Sequence, residues 1–190
     1  MRLLELFSGT GSVGEVFRER GWEVISLDRD LPADICCDIM DWDYRAAYPA
    51  GHFDFIWASP PCTEYSKAKS VRVRRLEEAN RVVERTLGII LYFNSFGWAM
   101  ECPQTGLLKS QPFMVNQHFT DVDYCKHGMP YRKRTRLWNH LLTFAPRPLC
   151  GHDCPATRPG TRKHEQTAQR GSQGLRAEHS QTRGVLQGAR

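Results

Sequence analysis

Apolar residues in this chain fall in short runs broken by glycine, proline and aspartate. Arg2-Leu-Leu-Glu-Leu-Phe7 predicts a buried strand, stopped by Ser8-Gly9-Thr10-Gly11-Ser12. Val13, Val16 and Phe17 then recur at helical spacing, with Glu15, Arg18 and Glu19 opposite and Gly21 as a stop. Trp22–Leu27 predicts a second strand ending on Asp28, and Ala33–Cys37 a shorter third leading into Asp38. His52–Ala58 predicts a fourth, running into Ser59-Pro60-Pro61-Cys62. Apolar positions 76, 79, 83, 87, 90 and 91, with charges between them, predict a helix over Leu76–Phe93. Trp98–Glu101, Thr120–Tyr124 and Thr135–Trp138 complete seven strands. Strands alternating with helices in this way predict an α/β fold with a doubly wound, mostly parallel seven-stranded sheet. Ligands of such sheets bind at the carboxyl ends of the strands, where every candidate residue below lies.

Composition narrows the class. With 190 residues and 41% hydrophobic content the chain is sized for one globular domain. No run approaches the length of a membrane span, and Met1–Ser8 lacks the features of a signal peptide, so a cytoplasmic, membrane-free protein is expected, a monomer. Seven cysteines without a secretion signal argue for reduced thiols, one of which can be chemically employed. The net charge of +5 is uneven. Residues 151–190 carry Arg158, Arg162, Lys163, Arg170, Arg176, Arg183 and Arg190 against only Asp153, Glu165 and Glu178. Two basic clusters stand out elsewhere: Lys67, Lys69, Arg72, Arg74 and Arg75, and Lys126, Arg132, Lys133, Arg134 and Arg136. Alone, each reads as a solvated surface.

Three constellations carry chemistry. The Phe7-Ser8-Gly9-Thr10-Gly11 turn lets backbone approach a ligand closely ahead of a helix N-terminus. Gly14 also completes a dinucleotide-type G-x-G-x-x-G, so that reading stays open. Asp28 is placed to accept ribose hydroxyls, and Asp38, with Ile39 beside it, to accept from an adenine amino group. Either carboxylate alone is equally a loop or capping residue; with the glycine turn they favour a nucleoside. The prolines of Ser59-Pro60-Pro61-Cys62 fix where Cys62 points, which suits a nucleophile of lowered pKa, against the plainer reading of a structural cysteine in a turn.

On these motifs the chain resembles the DNA cytosine-C5 methyltransferases, especially their compact phage and viral forms. Leu6-Phe7-Ser8-Gly9-Thr10-Gly11 resembles that family's cofactor motif, and Pro60-Pro61-Cys62 with Tyr65-Ser66 its catalytic Pro-Pro-Cys-x-x-Phe-Ser loop. Glu101 resembles the Glu of its Glu-Asn-Val motif, and Gly128-x-Pro130 with Arg134-x-Arg136 its Gln-x-Arg-x-Arg region. The resemblance covers about residues 1–140 and implies S-adenosyl-L-methionine as methyl donor, bound by Phe7–Gly11, Asp28, Asp38 and Ile39. It implies DNA as partner, with the target cytosine flipped out or single-stranded, in a prokaryotic, phage or viral setting. Cys62 adds to C6, Glu101 holds N3 and the exocyclic amine, and Arg134 contacts the base carbonyl or orients Glu101. In that context Lys67–Arg75 would hold phosphates.

The chain departs from the family pattern at Cys102-Pro103, where Asn-Val is usual, and at Tyr131-Arg132, where Gln is usual. The family's target-recognition region has no recognisable counterpart. Ser59-Pro60-Pro61 also matches the loop of exocyclic-amino (N4-cytosine or N6-adenine) methyltransferases, although Cys62 replaces their stacking aromatic. A catalytically idle nucleic-acid-binding relative is the remaining alternative. Residues 1–146 are expected to form the catalytic domain and 147–190 a loosely ordered basic tail. At its start, Cys150, His152, Cys154 and His164 resemble half a zinc site, but incidental cysteine and histidine is the preferred reading and no metal is expected. His118, His127 and His140 read as surface or satisfied histidines.

Overall fold

A computed structural model describes residues 1–66, 73–141 and 144–168. Seven strands form one sheet: β1 (Arg2–Leu6), β2 (Glu23–Asp28), β3 (Ile35–Cys36), β4 (Phe55–Ala58), β5 (Gly97–Pro103), β6 (Phe119–Asp123) and β7 (Arg134–Asn139). Their order is β3-β2-β1-β4-β5-β7-β6. β1 to β5 pair in parallel, and β7 runs antiparallel to both β5 and β6. The strand order reverses between β1 and β4, so the Phe7–Gly11 and Ser59–Cys62 loops leave adjacent strand ends at the switch point. This is the α/β fold the hydrophobic pattern predicts.

Alternation along the strands divides the core between two faces. Leu4, Leu6, Ile56, Ala58 and Met100 pack with Val83, Ile89, Ile90 and Phe93 of α3 (Leu76–Phe93). Leu3, Val24, Phe55, Trp57, Ala99, Val122 and Leu137 form the other face, covered by Val13 and Phe17 of α1 (Ser12–Arg18). A one-turn helix, α2 (Tyr44–Ala47), has no periodicity long enough to be legible in the sequence; Asp43 caps it by accepting from Ala46 N–H. Arg85 of α3 donates to the carbonyls of Ile39 and Trp42 and lies 4.7 Å from the Tyr44 ring centre, pinning the segment after β3 to the sheet.

The first part of the expected loose tail is folded. The Cys150 N–H donates to Asp123, Thr157 and His164 form an antiparallel bridge, and Gln166 N–H donates to the Pro130 carbonyl. Its buried side chains are only Cys150, Cys154 and Ala156, packed with Cys125, so apolar periodicity could not reveal it. Residues 169–190 lie outside the described residues. Among the described residues no helix is long and apolar enough to cross a membrane.

Candidate active site

The glycine turn is tightly wound. Phe7, Gly9 and Gly11 all have positive φ (58°, 55° and 75°), and Gly11 N–H closes on the Ser8 carbonyl at 2.8 Å. Gly14 is explained differently: a Cβ there would lie 2.5 Å from a carboxylate oxygen of Glu5, which accepts the Gly14 N–H. The third glycine of the dinucleotide-like pattern therefore makes room for a buried carboxyl group from β1.

Asp28, at the end of β2, ties this turn together. One oxygen accepts from Gly9 N–H at 2.8 Å and the other from Asp30 and Leu31 N–H, both at 2.9 Å. Each carboxylate oxygen has two acceptor sites, so capacity for a ribose hydroxyl remains. Asp38 accepts from Met40 N–H and pairs with Arg29 at 3.2 Å, an exposed guanidinium that also pairs with Asp30. A cleft of about 230 Å³ is lined by Phe7, Leu27, Asp28, Asp38, Ile39 and Ser59, with Arg29, Pro61 and Val82 among its other walls. Ser8, Gly9, Thr10 and Gly11 line an adjoining groove. The eight residues expected to bind the cofactor thus fall in two neighbouring depressions that share the β1–β2 strand ends.

Beyond the switch point, Ser59 N–H prolongs the β1–β4 pairing by donating to the Leu6 carbonyl, and Ser59 Oγ accepts from Trp57 Nε1. Cys62 follows at φ −98°, ψ 3°, half-buried, and begins a single 3₁₀ turn over Thr63–Tyr65. Tyr65 is buried there, and its hydroxyl donates to Asn80 of α3, whose amide donates to Gln111. Arg74 reaches back to the carbonyls of Glu64 (2.8 Å) and Ser66 (2.7 Å). Of the first basic cluster, Arg74 therefore secures the loop rather than standing free for phosphate, and Arg75 pairs with Glu78 at 3.6 Å. Lys67, Lys69 and Arg72 lie outside the described residues.

The Cys62 thiol is drawn down from its usual value. The largest cause is a hydrogen bond from the Cys102 thiol, followed by burial and Glu101, which oppose ionisation, and Lys133, which favours it. Cys102 lies on β5, 1% exposed, and burial together with that same bond holds its own proton on. The pair thus shares one ionisation, and the more exposed Cys62 takes the negative charge. Where the family's Glu-Asn-Val pattern has Asn, this chain places Cys102, in the core cluster against which Cys62 packs.

Glu101, also on β5, sits among two donors. Tyr124 Oη donates to it at 2.9 Å, and Lys133 Nζ lies 3.8 Å from its other oxygen and 5.3 Å from the Tyr124 ring centre. Arg134, expected at this carboxylate, is elsewhere. It makes a two-pronged pair with Asp123 at 2.6 and 3.0 Å, and Arg136 pairs in the same way with Asp121. Side chains alternate along β7, so Lys133, just before the strand, and Arg134 face opposite ways. The cation at the site is Lys133, inside the second basic cluster but not singled out by the sequence. That cluster as a whole is not a free phosphate surface: Lys126 pairs with Asp153 and Arg132 reaches His152.

One further grouping was only half legible. Cys150, Cys154 and His164, for which the incidental reading is preferred from sequence, do come together, and their fourth companion is Cys125, after β6, not His152. The His152 ring instead lies beside that of His164, centres 5.6 Å apart. Twenty-five residues of chain separate Cys125 from Cys150, so no local spacing signals it.

No protein-family model matches the chain. It is 34% identical over 170 residues to a protein of Frog virus 3 (isolate Goorha) named "Probable DNA (cytosine-5)-methyltransferase", a match spanning 82% of this chain and 78% of that one. Among solved structures it is similar to a protein assigned as a DNA modification methyltransferase, encoded within an E. coli prophage. The TM-score is 0.58 at 13% identity, covering 79% of this chain and 52% of the other. It is also similar to the S. pombe Dnmt2 methyltransferase, with a TM-score of 0.53 at 13% identity over 78% of this chain and 53% of that one. The matched part thus spans about half the length of these two solved proteins.

Proposed function

This chain belongs to the DNA (cytosine-5)-methyltransferase family, and from that premise we propose that it transfers a methyl group from S-adenosyl-L-methionine to C5 of cytosine in DNA through a covalent adduct of Cys62. The observation that carries the reading is the placement of Cys62, on a proline-stiffened loop at the switch point and packed against the core cluster that holds Cys102, with Glu101 held on β5 by Tyr124 and Lys133. Cys102 first, and Lys133 after it, draw the thiol down. Cytosine C5 is a poor nucleophile until a thiolate adds to C6 and makes it enamine-like. Cys62 supplies that thiolate, and Cys102, buried behind it, holds the sulfur's charge by donation. Glu101 faces the ring: its carboxyl gives a proton to N3 as the thiolate adds at C6, accepts from the exocyclic amine, and takes the N3 proton back when the thiolate leaves. Tyr124 and Lys133 orient that carboxyl. After methyl transfer a base removes the C5 proton and the thiolate leaves C6. The target base must leave its stack to reach this loop.

The donor set at the strand ends fits a nucleoside cofactor: a cleft walled by Phe7, Leu27 and Ile39, with the carboxylates of Asp28, Asp30 and Asp38 around it. S-adenosyl-L-methionine supplies an electrophilic methyl group when bound. Asp28 and Asp38 accept from its hydroxyl and amino groups, and the Phe7–Gly11 turn brings backbone alongside it. Arg29 must release Asp38 for this, which its exposure makes inexpensive.

The test is a trap. DNA carrying 5-fluorocytosine, incubated with protein and cofactor, gives a denaturation-resistant complex, because fluorine cannot leave as a proton. Cys62→Ser gives none, and Glu101→Gln slows turnover of ordinary DNA by about 10²–10⁴-fold. An N-methylated nucleoside without a trapped adduct would make the chain an exocyclic-amino enzyme; DNA binding with no transfer would make it an idle relative. Full activity in Cys62→Ser overturns the mechanism.

A further inference from the structure

Outside the methyl-transfer site, the densest grouping of reactive side chains is Cys125, Cys150, Cys154 and His164. The three sulfurs and one imidazole nitrogen all lie within 4.8 Å of one another. Cys150 Sγ is 3.5 Å from His164 Nε2. Zinc bonds of ~2.3 Å to sulfur and ~2.0 Å to nitrogen, at tetrahedral angles, put ligand atoms about 3.5–3.8 Å apart. One pair already has that separation and no pair exceeds it by more than about 1 Å, so small side-chain movements bring all four donors onto one ion. The three cysteines are 5% exposed or less, and no carboxylate is among the donors, which suits a soft, thiolate-preferring ion.

We propose that these four residues bind one structural zinc ion, which fastens residues 150–164 to the end of β6. Three observations of different kinds support it. Buried thiols converge from two places far apart in the chain, which packing alone does not require. The segment they anchor has almost no core of its own: Ala156 is its one buried apolar residue besides cysteine, and short segments of this kind need a staple. The outer contacts also suit metal-bound sulfur. His152 N–H points at Cys150 Sγ (3.3 Å), and Thr157 Oγ1 lies 3.4 Å from Cys154 Sγ, so both thiolates have partners that disperse their charge. A closed set of four protein ligands leaves no position for water or substrate, so the ion's role is to hold structure. A disulfide would use two of the three thiols and strand the third beside an unused imidazole.

The full chain, expressed without an affinity tag and purified without chelator, is expected to carry about one zinc ion per chain by elemental mass spectrometry. Stripped of metal and titrated with cobalt(II), it should develop the visible ligand-field and sulfur-to-cobalt charge-transfer bands of tetrahedral thiolate coordination, saturating at about one equivalent. Cys154→Ser and His164→Ala should each lose most of the metal, whereas His152→Ala, whose ring is outside the cluster, should keep it. The cobalt titration of the unaltered chain decides the matter even if the variants fail to fold. Octahedral or absent cobalt bands, a disulfide among Cys125, Cys150 and Cys154 in mass spectrometry, or zinc retained by both ligand variants overturns the proposal.

Discussion

Glu5 lies near the C-terminal end of β1, 1% exposed, and burial raises its carboxyl from its ordinary 4.5 to about 7, although the Gly14 and Val13 N–H groups pull the other way. A folded-state value above the unfolded one means that the folded chain still holds a proton the unfolded chain has released. Stability from this group is therefore intact below about pH 4.5 and is lost as pH rises toward about 7, by roughly 3 kcal/mol in all. Buried histidines such as His127, lowered by burial, act in the opposite sense over part of this range, so the measurement is a difference. Glu5→Gln should gain on the parent chain in urea unfolding between pH 5 and pH 8, and parallel profiles would sink the assignment. At the site, Lys133 and Arg134 separate function from stability. Lys133→Ala should raise the apparent thiol pKa in a pH–rate profile of adduct formation, because the ammonium that favours the Cys62 thiolate is gone. Arg134→Ala takes both guanidinium donors from the fully buried Asp123 and leaves it the Cys150 N–H. It should cost about 1–3 kcal/mol of stability while sparing the thiol's pH profile. An unchanged profile in Lys133→Ala, or a shifted one in Arg134→Ala, would restore the assignment the sequence pattern implied. Cys62 and Glu101 could be singled out as candidates because Cys62 follows β4 in a proline-rich motif and Glu101 lies near the carboxyl end of β5. Lys133 and Cys102 were not, since nothing in Tyr131–Arg136 says which way the side chains of β7 turn, and a cysteine on β5 reads as core.

At the scale of elements, α1 depends on a contact that helix propensity does not see. Alanine is the better helix former by about 1 kcal/mol, so Gly14→Ala ought to stabilise an isolated helix. In the folded chain the new Cβ would meet a Glu5 oxygen at 2.5 Å and a Val24 methyl at 3.0 Å, so the buried Glu5 carboxyl has to move away from the Gly14 N–H it accepts from. A net loss of about 1–2 kcal/mol is expected from the overpacking, read as a lowered Tm. A raised Tm would mean the carboxyl has room to swing away. The candidate catalytic loop is held in the same non-local way, by Tyr65 on Asn80 and Arg74 on the Glu64 and Ser66 carbonyls. These tertiary ties explain which elements were legible. The predicted strands and the helix over Leu76–Phe93 match because each has a strong period of its own. α2, with one turn, and the segment 144–168, held by hydrogen bonds and cysteines rather than by an apolar stripe, have none.

For the molecule as a whole, what matters is whether the segment after β7 is an appendage or part of the catalytic unit. Cys125 directly follows Tyr124, whose hydroxyl holds Glu101, and Cys150 N–H caps Asp123, the partner of Arg134. The segment therefore fastens the turn that carries a donor to the candidate catalytic carboxyl, and a change there has a direct route to the site. Two truncations separate the possibilities. A chain ending at residue 168 keeps every contact described here and should melt as the full chain does. A chain ending at residue 146 loses the Asp123 cap, three of the four clustered ligands and the Gln166–Pro130 hydrogen bond. It should unfold at a lower temperature, with the loss concentrated in β6 and the turn after it, because the face covered by α3 takes no residue from that segment and the face covered by α1 takes only Ala168. Hydrogen exchange resolves this directly: protection should fall at residues 119–128 and persist at residues 2–6 and 55–58. Trapping of 5-fluorocytosine DNA should weaken in the shorter chain through Glu101, while the Cys62 thiol remains in place on its loop. Equal protection across the two regions in both truncations would show that the segment is an appendage, and that Tyr124 keeps its position without it.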